Sequence, residues 1–345
     1  VQRLRTAGAV ILGKLNLHEA ALGATTDNPH FGGTMNPHRL GFTPGGSSGG
    51  SGAAVAAALC AAALGTDTAG SVRIPAAYCG VVGLKPSHGL LSTRGVVPLS
   101  WRLDHAGMLS RTVGDARLLL RVLSGFDPLC PGSRRAAEQS GRAGAGLAGI
   151  RLGLIENFAA PPSEPAVAAA FADALLVLRG LGGVLHRVAL PSYDPARACR
   201  AALLRIEVDA AIVHDDLYRR DPARFSAALR TYLDYGGRAS ATQLARADRF
   251  IDIAAFELAR AFDSVDAVVS PATPHAAFAF RDPVPDHQNA FAVLANFAGY
   301  PAISVPMGRT AEGLPLGLQI MAPIDRDELV LDIAEAYEAA AGWDI

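Results

Sequence analysis

Lysine is nearly absent from this chain. Only residues 14 and 85 are lysines among 31 basic residues, the rest being arginine. A phosphate loop of the G-x-x-x-x-G-K-[ST] type is excluded, because no lysine follows Gly50 or Gly52 in the glycine-rich loop. The dinucleotide fingerprint also fails, since "NPHRLGFTP" ahead of that loop does not read as a strand. Cysteine is scarce: four residues at 60, 79, 130 and 199, with no C-x-x-C spacing. That rules out a zinc ribbon and a thioredoxin-type motif. Cys60 and Cys79 read as small core residues, and the usage fits a reducing, cytoplasmic compartment. No apolar run reaches the ~18 residues of a membrane span. The best, 52–64, is short and mostly alanine, and there is no signal-peptide pattern. The nine histidines are scattered. "HEAAL" at 18–22 lacks the second histidine of H-E-x-x-H, and "HDD" at 214–216 reads as a solvated charged face. No metal or other cofactor is expected. A net charge of -1 leaves no footprint for nucleic acid or a charged membrane surface.

What the chain does have is a large apolar fraction, 50% of 345 residues against 18% charged, enough for a sizeable core. Strand patterns fall at 9–13, 151–155, 184–188, 267–270, 302–306 and 316–321. Helical patterns fall at 51–64, 113–123, 165–178, 201–217, 222–235, 241–262, 287–297 and 326–341. The alternation predicts an α/β fold with a sheet covered on both faces. Residues 125–149, rich in Gly, Ser, Pro and Arg, predict a surface crossing or hinge within one continuing sheet.

The segment "GGSSGGSGAAVAAALCAAALGTDTAGSVRIPAAYCGVVGLKPSHG" (45–89) carries the chemistry. Gly45-x-Ser47-x-Gly49 satisfies the G-x-S-x-G pattern of α/β-hydrolases, for which His275 or His287 could serve as base. That elbow requires a strand running into the loop, and Pro37, Pro44 and polar residues precede it instead. A different match is more specific: a double-serine glycine loop, an alanine-rich stretch, then G-T-D-x-x-G-S-x-R-x-P. This resembles the signature segment of the amidase signature family. "GKLNLHEAALGATTDNPHFGGTMNP" before it, and "LDHAGMLSRTVGDARLLLRVLSG", "GYPAISVPMG" and "GLPLGLQIMAP" after it, extend the resemblance over most of the chain. Only about 190–265 lacks a counterpart.

The resemblance implies a single domain over 1–345: a large mixed sheet between helical layers. Its core would be 1–125 and 265–345, with a helical, substrate-shaping region at about 190–263. It implies hydrolysis of a carboxamide through an acyl-serine, with Ser71 as nucleophile. Ser47, held after a cis peptide from Gly46, would relay the proton. The backbone N–H groups of Thr68, Ala69, Gly70 and Ser71 would face the developing oxyanion. Ala69 stands where many members have glycine, which is harmless only if φ there is negative. Ser48, Asp67 and Arg73 would support the site, Asp67 and Arg73 as a buried ion pair or, for Arg73, as a contact to a substrate carboxylate. Ser51 is a candidate helix cap. Ser270 and Gln319, near strand ends, are candidates for pocket lining. The expected partner is a small-molecule amide, with no nucleic acid and no membrane; a homodimer is compatible. The alternatives are an amidotransferase subunit that aminates misacylated tRNA, and a non-catalytic remnant.

One family element has no counterpart. The resemblance implies a general-base lysine in an upstream G-x-P-x-x-x-K-D segment, which does not occur in 1–345. Lys14 in "GKLN" and Lys85 in "GLKP" occupy other positions. The chain also opens in helical register at Val1 with no capping residue ahead. The expectation is an N-terminally truncated form, a fragment of a longer enzyme, rather than a natural short form lacking its base.

Overall fold

Apolar alternation, punctuated by glycine and proline, builds most of this chain into one sheet. A computed structural model describes residues 1–135, 146–160 and 162–343. In chain order the elements are α1 (Gln2–Thr6), β1 (Asp27–Asn28), β2 (Gly32–Gly33), α2 (Gly49–Ala56), β3 (Ala62–Asp67), α3 (Arg73–Cys79), β4 (Val82–Lys85), β5 (His105–Ser110) and α4 (Val113–Leu123). Then follow β6 (Arg151–Ile155), α5 (Pro165–Gly180), β7 (Val184–Val188), α6 (Pro195–Arg220), α7 (Ala227–Arg238), α8 (Ala241–Ala261), β8 (Ala267–Pro271), α9 (Val293–Phe297), β9 (Ala302–Arg309), β10 (Pro315–Met321) and α10 (Asp327–Ala341). β1 and β2 form a small hairpin; the other eight strands form one sheet in the order β3-β5-β4-β9-β10-β8-β6-β7. β6 is parallel to β7 and β8, and the remaining pairs are antiparallel, so the sheet is mixed.

The two faces of the sheet's centre differ in chemistry. One carries Leu84, Ile303, Val305, Leu318, Ile320 and Val269, in the same apolar cluster as Leu178 of α5 and Val330, Leu331 and Ile333 of α10. The other carries a small or polar row, Gly83, Ser304, Gln319 and Ser270, aligned across β4, β9, β10 and β8 by the register. α3 lies directly on that row. A Cβ on Gly317 would stand 2.6 Å from the Ala77 Cβ, and one on Gly83 would stand 2.5 Å from the Ala76 Cβ. A second apolar cluster joins α6, α7, α8 and α9 to Leu22, Leu99 and Leu103. Among the described residues no helix is long and apolar enough to cross a membrane.

Several local expectations are corrected. Residues 9–13 form no strand; Val10 and Leu12 are 83% and 73% exposed, and no neighbouring strand pairs with them. The helix expected over 51–64 ends at Ala56, Ala58 turns to φ 55°, and Ala62–Asp67 becomes β3. Pairing along the whole of β5 overrides alanine's helical preference there. Cys60 therefore lies in the turn between α2 and β3. β4 and β5, short and interrupted by glycine, lie where no strand was expected. The helix at 287–297 shrinks to α9, and 222–235 divides at Ser226, which caps α7 by accepting from Leu229 N. Of the expected crossing at 125–149, residues 136–145 lie outside the described residues.

Candidate active site

The site begins where β3 ends. Asp67, the last residue of β3, is followed by the turn 68–71 and then by α3. Beside that turn lies the glycine–serine loop that opens α2. Ser48 N donates to Ser71 O at 3.2 Å, so the two serine-bearing loops touch through backbone. The Gly46–Ser47 peptide is cis. Thr26 fastens the loop: its Oγ1 donates to Gly45 O at 2.7 Å and accepts from Gly49 N at 3.0 Å. His18 N donates to Ser47 O at 3.0 Å. Sequence reasoning missed Thr26; no motif marks it, and its role appears only once the chain folds back on 45–49.

Ser47 is fully buried, and its Oγ has no hydrogen-bond partner among the described residues. Ser71, at the neighbouring turn, is partly exposed. Ser48 Oγ turns to β3, donating to Thr66 O at 3.2 Å and accepting from Thr66 N at 3.1 Å. Ser51 is not a cap: it sits inside α2 and donates to Leu64 O at 2.8 Å.

Asp67 and Arg73 form a fully buried ion pair at 2.9 Å. The Asp67 carboxylate also accepts from Gly70 N at 2.8 Å and Val72 N at 3.2 Å, which fixes the turn. Burial alone would raise this carboxyl's pKa, but the adjacent Arg73 guanidinium holds it well below the usual carboxylate range. Arg73 uses all five of its N–H groups. Nε and one Nη2 hydrogen go to Asp67 at 3.0 and 2.9 Å, and the other Nη2 hydrogen goes to Asn296 Oδ1 at 2.6 Å. Nη1 donates to Ala292 O at 2.7 Å and Gln319 Oε1 at 2.6 Å. All five donors are thus taken within the chain, as a buried clamp requires. Gln319 in turn donates to Ser270 Oγ at 3.1 Å and Phe291 O at 2.7 Å. Gln319 and Ser270 thus anchor the clamp to the sheet instead of lining a pocket. Asn296, also missed by sequence reasoning, donates to the Asp67 carboxylate at 2.9 Å.

Two points bear on the turn's amides. Gly70 sits at φ 119°, in the region that favours glycine, whereas Ala69 does not take a positive φ. Gly70 N–H is already given to Asp67. The amides of Thr68, Ala69 and Ser71 donate to no other group among the described residues. Thr68 is held separately, its Oγ1 donating to Asp104 Oδ1 at 2.7 Å.

The histidine and lysine candidates lie elsewhere. His275 Nδ1 pairs with Tyr78 OH at 2.8 Å, and among the described residues no histidine side chain bonds Ser47 Oγ. Lys14 is exposed and lies outside any helix or strand. Lys85 is fully buried and donates to Tyr300 O at 2.5 Å and Pro86 O at 3.3 Å. Burial, then repulsion from Arg73, brings its pKa down to about 7. Among the described residues no three His, Cys, Asp or Glu side chains gather as a metal site requires.

The chain as a whole is similar to known proteins. A family model described as Amidase matches residues 1–331. A glutamyl-tRNA(Gln) amidotransferase subunit of Gloeobacter violaceus is 37% identical, over 99% of this chain and 76% of its own length. A solved structure described as part of a vestigial protein complex that reveals the origins of an s-triazine catabolic enzyme superposes with a TM-score of 0.91. It is 35% identical and covers 99% of this chain and 76% of its own. The 6-aminohexanoate cyclic dimer hydrolase, solved with substrate, gives a TM-score of 0.87 at 30% identity, covering 99% of this chain and 77% of its own.

Proposed function

The chain belongs to the amidase family, and from that premise we propose that it cleaves a carboxamide C–N bond, with Ser71 as the acylated nucleophile and Ser47 as the proton relay. As Ser71 Oγ attacks the carbonyl carbon, its proton passes to Ser47 Oγ while Ser47 gives its own hydroxyl proton to the leaving nitrogen. The C–N bond breaks, the proton leaves with the nitrogen, and an ester to Ser71 remains. Water then cleaves that ester to the carboxylate and restores the hydroxyl. The amides of Thr68, Ala69 and Ser71 receive the oxyanion; removing one such donor typically costs ~10²–10³ in rate. Asp67, Arg73 and Asn296 act through the turn as positioning residues.

The observation that supports this most is the orphan hydroxyl of Ser47, on a loop bonded to the Ser71 backbone. A buried hydroxyl without a partner costs ~1–3 kcal/mol, and such groups are kept where chemistry uses them. The resemblance places a lysine behind Ser47, but neither Lys14 nor Lys85 bonds to it. We assign the helices α6 to α8 to substrate shaping, because Ala69 of the turn packs against the cluster they help form.

A second reading rests on the 37% identity to the glutamyl-tRNA(Gln) amidotransferase subunit. In that reading the same acyl-serine would form on this chain, but the released nitrogen would pass to an acceptor, with other protein chains taking part. The two readings differ in the fate of the nitrogen. Hydrolysis predicts that the protein alone releases ammonia from a simple primary amide, and that Ser71→Ala abolishes the release. Ammonia released equally by Ser71→Ala refutes the acyl-serine route. Release that appears only with added partner chains and an acceptor favours the second reading.

A further inference from the structure

The glycine–serine loop at 45–49 rests on one side chain. Thr26, just ahead of β1, is fully buried. Its hydroxyl hydrogen points to Gly45 O at 2.7 Å, with Ser47 O a second acceptor at 3.2 Å, and its oxygen accepts from Gly49 N at 3.0 Å. The bonded groups thus stand before, on and after Ser47. The fit is also steric. A Cβ on Gly46 would lie 3.0 Å from Thr26 Oγ1, and one on Gly49 only 2.3 Å from it. Glycine at those two positions lets the loop sit this close to the hydroxyl.

The backbone under this hydroxyl is unusual. Thr26 has φ 55°, where a residue branched at Cβ is an outlier. Its surroundings hold it there. Thr34 N donates to Thr26 O at 3.1 Å, and Thr43 Oγ1 donates to Thr25 O at 2.8 Å while accepting from Gly45 N at 3.0 Å. Glycine or asparagine would take this φ more readily, but neither carries a hydroxyl. Unfavourable backbone that its surroundings over-determine collects at functional sites. Ser47 supplies the reason for it here. Its Oγ has no partner among the described residues, so no bond to that atom fixes its direction. The direction follows from the backbone of 45–49, and Thr26 holds that backbone on both sides of Ser47.

We propose that Thr26 is a positioning residue for proton transfer: it aims the Ser47 hydroxyl at Ser71 and acts on the chemistry only through Ser47. The inference rests on the reading in which Ser47 relays the proton of Ser71. Such a relay works over ~2.6–3.2 Å, and a displacement of about 1 Å can cost ~10²-fold in rate. Two backbone contacts also hold the loop, His18 N to Ser47 O at 3.0 Å and Gly50 N to Asn16 O at 3.2 Å. Both survive a change of the Thr26 side chain. Without the Thr26 hydroxyl the loop therefore keeps its place in the fold and loses its aim.

The test measures the rate at which a fluorophosphonate adduct forms on Ser71, well below the melting temperature of each variant. Thr26→Val keeps the shape and the branching but removes the hydroxyl, and should slow labelling roughly 10- to 100-fold. Thr26→Ser returns the hydroxyl and should restore a rate close to that of the parent. If Thr26→Val does not fold, Thr26→Ala gives the same comparison, since alanine and serine differ only by that hydroxyl. The decisive readout is a double-mutant cycle with Ser47→Ala. Thr26→Val should have no further effect once Ser47 is alanine, because the two act as one unit. The proposal is overturned if Ser47→Ala is slow while Thr26→Val labels at the parent rate, or if Thr26→Ser is as slow as Thr26→Val. It is equally overturned if Thr26→Val slows labelling as much in the Ser47→Ala background, the mark of a merely structural role. Failure of the relay reading looks different: Ser47→Ala itself would then label at the parent rate, and the proposal would fall with it.

Discussion

Lys85 shows what burial does to a single residue. The amine is enclosed at the end of β4 with two carbonyls for its hydrogens, and its pKa falls from an ordinary 10.5 to about 7. In the unfolded chain it titrates near the ordinary value, so between about pH 7 and pH 10 the unfolded state binds the extra proton. Stability from this residue therefore falls as pH drops through that window and rises with pH across it. Lys85→Met should flatten the rise: urea midpoints of the parent protein should gain on those of the variant between pH 7 and pH 9. Parallel midpoints across that range would show that Lys85 keeps its proton in the fold. Residue by residue, legibility was uneven. Asp67 and Arg73 could be marked because both fall inside one motif. Asn296 could not, because it reaches Arg73 across 223 positions of sequence, and no local pattern encodes such a pairing.

Elements are set by packing as much as by propensity, and the C-terminal end of α7 shows the two separately. Gly236 and Gly237 are adjacent, but a Cβ on Gly236 would lie 2.1 Å from the Glu207 backbone oxygen of α6, whereas one on Gly237 would meet nothing within 4 Å. Gly236→Ala should cost ~1–3 kcal/mol by forcing the helices apart. Gly237→Ala should stabilise by up to ~1 kcal/mol, by removing glycine's backbone entropy from a helix. Thermal unfolding of the two variants checks this, and shifts of the same sign would contradict the close approach of α6 and α7. The same competition explains which elements the sequence revealed. β6 and β7 coincide with their expected ranges, and α8 comes within one residue, because their apolar periods are long or clean. β3 was hidden because its alanines favour a helix when read alone, and the sheet decides otherwise. β4 and β5 were hidden because each is short and holds a glycine that serves packing: Gly83 meets Ala76, and Gly107 meets Leu84 O and Val72.

Across the whole molecule, one end of the sheet gathers the chemistry. β3 delivers Asp67 and the turn to Ser71, β4 delivers Lys85, and β5 begins at His105, the register partner of Asp67. α9 and β10 close over the turn through Asn296 and Gln319, so residues from both ends of the chain fix one short loop. The central claim is that this arrangement serves acylation of Ser71. It is tested most directly by treating the intact protein with a fluorophosphonate and mapping the adduct by peptide mass spectrometry. The account predicts one adduct, on Ser71, absent from Ser71→Ala. Labelling of Ser47 with none on Ser71, or undiminished labelling of Ser71→Ala, would contradict it.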